Sequence, residues 1–99
     1  PIRENGSYRT NLVLANPTDA TILAVARLYS ADGILIGSRE VSLPPLGMTQ
    51  ISRVAAALGS PYLDLGRISV STPTPGGLLA AYASVIDNVS NDPRTILPR

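Results

Sequence analysis

Asp87, Asn88, Asn91 and Asp92 place four oxygen-bearing side chains within six residues. They form the densest group in the chain able to attract a hard cation. Calcium takes about six to eight oxygens from carboxylates, amides and backbone carbonyls, so this loop is a candidate calcium site. The same residue types are common in turns because their side chains bond nearby backbone. The group also lacks the loop glycine and bidentate glutamate of an EF-hand, so the turn reading carries more weight. Calcium is the one cofactor candidate, and no other is expected.

Catalytic chemistry has little to work with. The chain contains no histidine and no cysteine, which removes imidazole and thiolate metal sites and the Ser/His/Asp and Cys/His nucleophile arrangements together. Ser84 has no histidine partner, and with no lysine present lysine activation is also closed to it. Asp87 and Asp92 could share acid/base work, but no apolar pocket is implied around them. Gly76-Gly77 lacks the lysine and helix start of a phosphate-cradling loop and reads as a turn. The expectation is a protein that is not an enzyme. The sequons Asn5-Gly6-Ser7 and Asn88-Val89-Ser90 are read as unmodified. Four tyrosines, Tyr8, Tyr29, Tyr62 and Tyr82, would make a sugar-stacking platform only if two or three lined up on one exposed face.

The elements that must position these residues read as strands. Leu78–Val89 is the longest stretch with aliphatic and small residues on both alternating faces, Leu79, Ala81, Ala83 and Val85 against Leu78, Ala80, Tyr82, Ser84 and Ile86. The pattern predicts a central strand covered on both sides. Residues 7–15 alternate Tyr8, Thr10, Leu12 and Leu14 with Arg9, Asn11 and Val13, and Asn16-Pro17-Thr18-Asp19 then breaks the strand. Residues 20–30 carry Ile22, Ala24, Ala26 and Leu28 on one face. Ala31-Asp32-Gly33 turns this strand into a hairpin with residues 34–43. The alternation there changes phase at Gly37, as at a bulge. Met48–Arg53 is short, Arg53–Gly59 is one or two helical turns closed by glycine, Tyr62–Ser71 kinks at Gly66, and Thr95–Leu97 makes a last edge pairing.

About seven short strands with a turn signal every ~8–12 residues predict an all-β fold, an antiparallel immunoglobulin-like β-sandwich with one short helical turn. Ninety-nine residues suit a single domain over 1–99, which at this size buries roughly 60–70% of the surface its unfolded chain exposes. With no cysteine, packing alone must hold it.

Eight arginines and seven acids leave a net charge of +1, spread without a run, so no nucleic-acid footprint is present. No stretch reaches the ~18–20 apolar residues of a membrane span, and the N-terminus lacks a signal pattern, as in a mature or excised module. Leu23, Val25 and Tyr29 form a second apolar row on the strand of residues 20–30. Either loops cover it or it serves weak homo-association or a neighbouring module, and the shortness of the helical segment favours contact with another module.

Four stretches in order carry a resemblance: Tyr8–Pro17, Leu28–Gly33, Leu43–Gly47, and Ala81–Asn88 with Asn91-Asp92-Pro93. They resemble immunoglobulin-like modules appended to secreted multidomain bacterial proteins. The resemblance implies an extracellular or cell-surface location and a non-catalytic structural, spacer or cell-adhesion role. Neighbouring domains of the same precursor, or a protein or glycan partner, would be its contacts. A carbohydrate- or protein-binding module is the alternative.

Overall fold

Alternation along the strands decides which residues meet. The computed structural model describes residues 2–97. Over them run β1 (Ile2–Glu4), β2 (Tyr8–Ala15), β3 (Ile22–Ser30), β4 (Leu35–Leu43), β5 (Met48–Ile51), α1 (Val54–Ala57), β6 (Leu63–Ser71), β7 (Ala80–Asp87) and β8 (Pro93–Ile96). Two four-stranded sheets result, ordered β1-β6-β3-β4 and β5-β2-β7-β8, with every pairing antiparallel. The chain is an all-β sandwich. No helix among the described residues is long and apolar enough to cross a membrane.

The core lies between the sheets. Leu12 and Leu14 of β2 face Ile22, Ala24, Ala26 and Leu28 of β3, joined by Leu43, Ile51, Val54 and Ala83. Burying a leucine or isoleucine side chain fully, as at Leu14, Ile22 and Leu28, stabilises the fold by about 1.5–3 kcal/mol each. These are the faces that alternation predicts.

Three details differ from the sequence expectation. β7 is covered on one face only: Ala83 and Val85 are buried, whereas Ala80 and Tyr82 are exposed. Ser84 and Ile86 on that second face are half-buried, and alternation alone does not distinguish a row of small and polar-tipped residues such as Ala80, Tyr82 and Ser84 from a buried one. The most completely buried strand is β3 instead. Second, Val25 is only 7% exposed, and Leu23, Arg27 and Tyr29 are half-buried. The row read as a docking patch is therefore covered by its own chain. Third, β1 adds a strand that the sequence pattern did not mark, because three residues are too few to show a period.

Two glycine positions explain how the strands bend. Pairing runs Leu28 to Gly37 and then Tyr29 to Leu35, the bulge expected in β4. A Cβ on Gly37 would lie 1.9 Å from the Leu58 carbonyl oxygen, so only glycine lets the end of α1 rest on this strand. In β6 the extra residue falls between Leu63 and Gly66, opposite Ile2 and Glu4. The phase change therefore comes before Gly66, leaving Leu65 exposed while Ile68 and Val70 pack against the core.

The connections define two ends. At one, the β2–β3 and β4–β5 loops meet around Asn16. At the other, the β1–β2 turn, α1 and the β7–β8 turn gather around Glu4 and Asn88.

Candidate functional site

The four predicted cation ligands do come together at the β7–β8 turn, but side-chain oxygens of Asp87, Asn88 and Asn91 already have partners. Asp87 closes an Asx turn, its Oδ1 accepting from the Val89 and Ser90 N–H groups at 2.8 and 3.2 Å. Asn91 sits at φ 59°, a left-handed conformation that asparagine tolerates, and its N–H donates to the Asp87 carbonyl at 2.7 Å. The Arg9 guanidinium donates to Asn88 Oδ1 at 2.8 Å and to Asn91 Oδ1 at 3.3 Å. Asn88 Nδ2 in turn donates to the carbonyls of Asn5 and Gly6 at 3.4 and 3.3 Å. A cation bound here would have to displace a fixed positive charge from two of the four side chains. Among the described residues, no group of three or more His, Cys, Asp or Glu side chains is placed to hold a metal. Both sequon asparagines are occupied in turns, since Asn5 Oδ1 accepts from the Ser7 and Tyr8 N–H groups at 2.8 and 2.9 Å.

Two polar residues that the pattern did not single out do more. Asn16 is 2% exposed. Its Nδ2 donates to the carbonyls of Ala20, Leu43 and Pro44 at 2.7, 3.1 and 3.0 Å, and its Oδ1 accepts from the Thr18 N–H at 2.9 Å and hydroxyl at 2.6 Å. Glu4, also 2% exposed, accepts the Ala55 N–H on Oε1 at 3.0 Å and the Ala56 N–H on Oε2 at 2.7 Å. It caps a helix too short to cap itself, whose first residue follows Arg53 at φ 48°. Buried Thr10 donates its hydroxyl to the Arg3 carbonyl, tying β2 to β1. The signal for Asn16 was present in Asn16-Pro17. Nothing local marked Glu4.

The tyrosines do not line up. Arg3 lies over the Tyr8 ring at 5.5 Å and Arg67 over the Tyr29 ring at 4.7 Å. Of the two exposed rings, Tyr62 lies just before β6 and Tyr82 lies in β7 of the other sheet.

A cleft of about 580 Å³ lies between β6 and the β7–β8 pair, lined by Ile2, Ile68, Val70, Ala81, Ala83 and Ile96 among others. Its walls are mostly apolar, with Arg67, Ser69 and Tyr82 as the polar members, and carry no acid. A patch of this kind suits contact rather than chemistry. The chain matches no family model, no curated protein and no solved structure.

Proposed function

We propose that the chain is a non-catalytic, immunoglobulin-like structural or adhesion module of a secreted or cell-surface bacterial protein. The observation that carries this reading is the use of its polar residues. The stretches behind the resemblance contribute Asn16, Pro44 and Gly47 to one end and Asn88 and Asn91 to the other, and there they tie loops together rather than face a ligand. They are the residues of a frame.

Strand direction supports attachment over end-to-end spacing. β1 runs from the Asn16 side towards the Asn88 end, and β8 runs back towards the Asn16 side. A module held through both flanks would present its Asn88 end outward. Antibody raised against the domain is expected to label intact cells of the source organism, or to detect the domain in culture medium. Signal that appears only after lysis would overturn the reading. Of the binding alternatives, the separated tyrosines weaken a sugar platform, while the cleft beside a sheet edge favours a protein partner.

A further inference from the structure

The turn between β1 and β2 holds the chain's one Asn-Gly pair, Asn5-Gly6. An asparagine side chain can be attacked at Cγ by the backbone nitrogen of the next residue, and the attack is least hindered when that residue has no side chain. The other four asparagines are followed by Leu12, Pro17, Val89 and Asp92. Proline has no N–H to give up, and the other three bring side chains to the approach.

The fold prepares Asn5 for this reaction. Its Oδ1 accepts from the Ser7 N–H at 2.8 Å and the Tyr8 N–H at 2.9 Å. Attack at Cγ would drive negative charge onto that same oxygen, and two backbone donors at such distances are what an oxyanion hole supplies. The turn fixes the donors, since the Asn5 N–H donates to the Tyr8 carbonyl at 2.8 Å. The nucleophile stays outside the network: no hydrogen bond among the described residues uses the Gly6 N–H. Gly6 and Ser7 are exposed, so water reaches the site. Two similar turns lack this combination. Asp87 accepts in the same way, but the N–H of Asn88 after it is tied to the Ser7 carbonyl at 2.8 Å. At Asp32-Gly33 the Gly33 N–H is tied to the Ser30 carbonyl at 3.0 Å.

We propose that Asn5 is a self-modification site, where the folded turn converts the side-chain amide through a cyclic imide into aspartate and isoaspartate. The Gly6 nitrogen gives its proton to water and bonds to Asn5 Cγ. The Cγ–Nδ2 bond breaks, and that nitrogen leaves as ammonia with a proton returned by water. One water molecule then opens the imide. Breaking the bond between Gly6 N and Cγ gives aspartate, and breaking the bond between Gly6 N and the main-chain carbonyl carbon gives isoaspartate. The net reaction is hydrolysis of one amide, with no oxidant or cofactor.

The neighbours set the consequence. Glu4, the preceding residue, holds the Ala55 and Ala56 N–H groups, and the Asn5 and Gly6 carbonyls accept from Asn88 Nδ2. Isoaspartate adds one carbon to the main chain here and turns the Asn5 carbonyl into a free carboxylate. β1 then no longer matches the turn, and Glu4 is drawn off α1. The Asn88 end loosens with age. None of this depends on where the protein resides, so cell labelling and the following measurement fail separately.

The intact domain is incubated at mildly alkaline pH, folded and in guanidinium chloride, and its fragments are weighed for the gain of about 1 Da per converted amide. Conversion at Asn5 is expected at least about tenfold faster in the folded domain than in the unfolded chain, and ahead of the other four asparagines. Gly6→Ala should slow it by about tenfold or more with the fold kept, since a Cβ there meets nothing within 4 Å. In the isoaspartate fraction, hydrogen exchange at Ala55 and Ala56 should quicken. Asn5→Asp, which keeps both acceptor bonds, should exchange like the wild type. Conversion that is equal or slower in the folded domain, or that begins at another asparagine, would overturn the proposal. So would an isoaspartate fraction in which the Ala55 and Ala56 amides exchange unchanged.

Discussion

Asn16 and Asn88 do the same job at opposite ends of the sandwich, yet in different surroundings. Each uses both halves of its amide to tie one loop to another: Asn16 joins the β2–β3 and β4–β5 connections, and Asn88 joins the β7–β8 turn to Arg9 and the β1–β2 turn. Asn16 is sealed from water and Asn88 is half-buried. Water can replace the bonds of the second and not of the first. A hydrogen bond therefore matters less by its count than by what would satisfy its partners if it were lost.

That difference is open to measurement. Asn16→Ala removes the buried amide that serves the Leu43 and Pro44 carbonyls and the Thr18 N–H, while the Ala20 carbonyl keeps the Thr18 hydroxyl, and a loss of roughly 2–3 kcal/mol is expected in urea unfolding. A loss under about 1 kcal/mol would mean that water enters this end and the contrast is wrong. Glu4→Gln is intermediate. The substituted amide can accept from only one of the Ala55 and Ala56 N–H groups and turns a donor towards the other, for an expected loss of about 2 kcal/mol. Hydrogen exchange at those two amides should quicken in the variant. Unchanged exchange would show that α1 does not need its cap.

Asn88→Ala should lower stability by no more than about 1 kcal/mol, since solvent takes over its partners. Equal losses at Asn88 and Asn16 would remove burial as the explanation. The smallest effect belongs to calcium. With Arg9 held against Asn88 and Asn91, millimolar calcium is expected to move the melting temperature by less than about 1 °C. A rise of several degrees, abolished by Asp87→Ala, would restore Asp87, Asn88, Asn91 and Asp92 as a cation site.

Much of the fold was legible because the strands are amphipathic. The inward row Ile22, Ala24, Ala26 and Leu28, the Gly33 turn and the Gly37 bulge all follow from alternation and backbone chemistry within a few residues. β7 misled because alanine and serine suit a covered face and an open one equally well. The frame of the candidate site was half legible: the Asx cluster announced a turn, but its partner Arg9 lies 79 residues from Asn88, beyond any local pattern.

The sequence by itself determined that the chain forms strands whose alternate residues turn inward, and that no imidazole, thiol or lysine chemistry is open to it. Those properties belong to residue types and to a period of two. Tertiary structure decided which strands pair in each sheet, that Glu4 reaches a helix more than fifty residues away, and that Val25 is covered while Ile68 and Val70 border a cleft. The physical reason is that register and edge length are set by which strands meet across the sandwich, and no single stretch of chain carries that information.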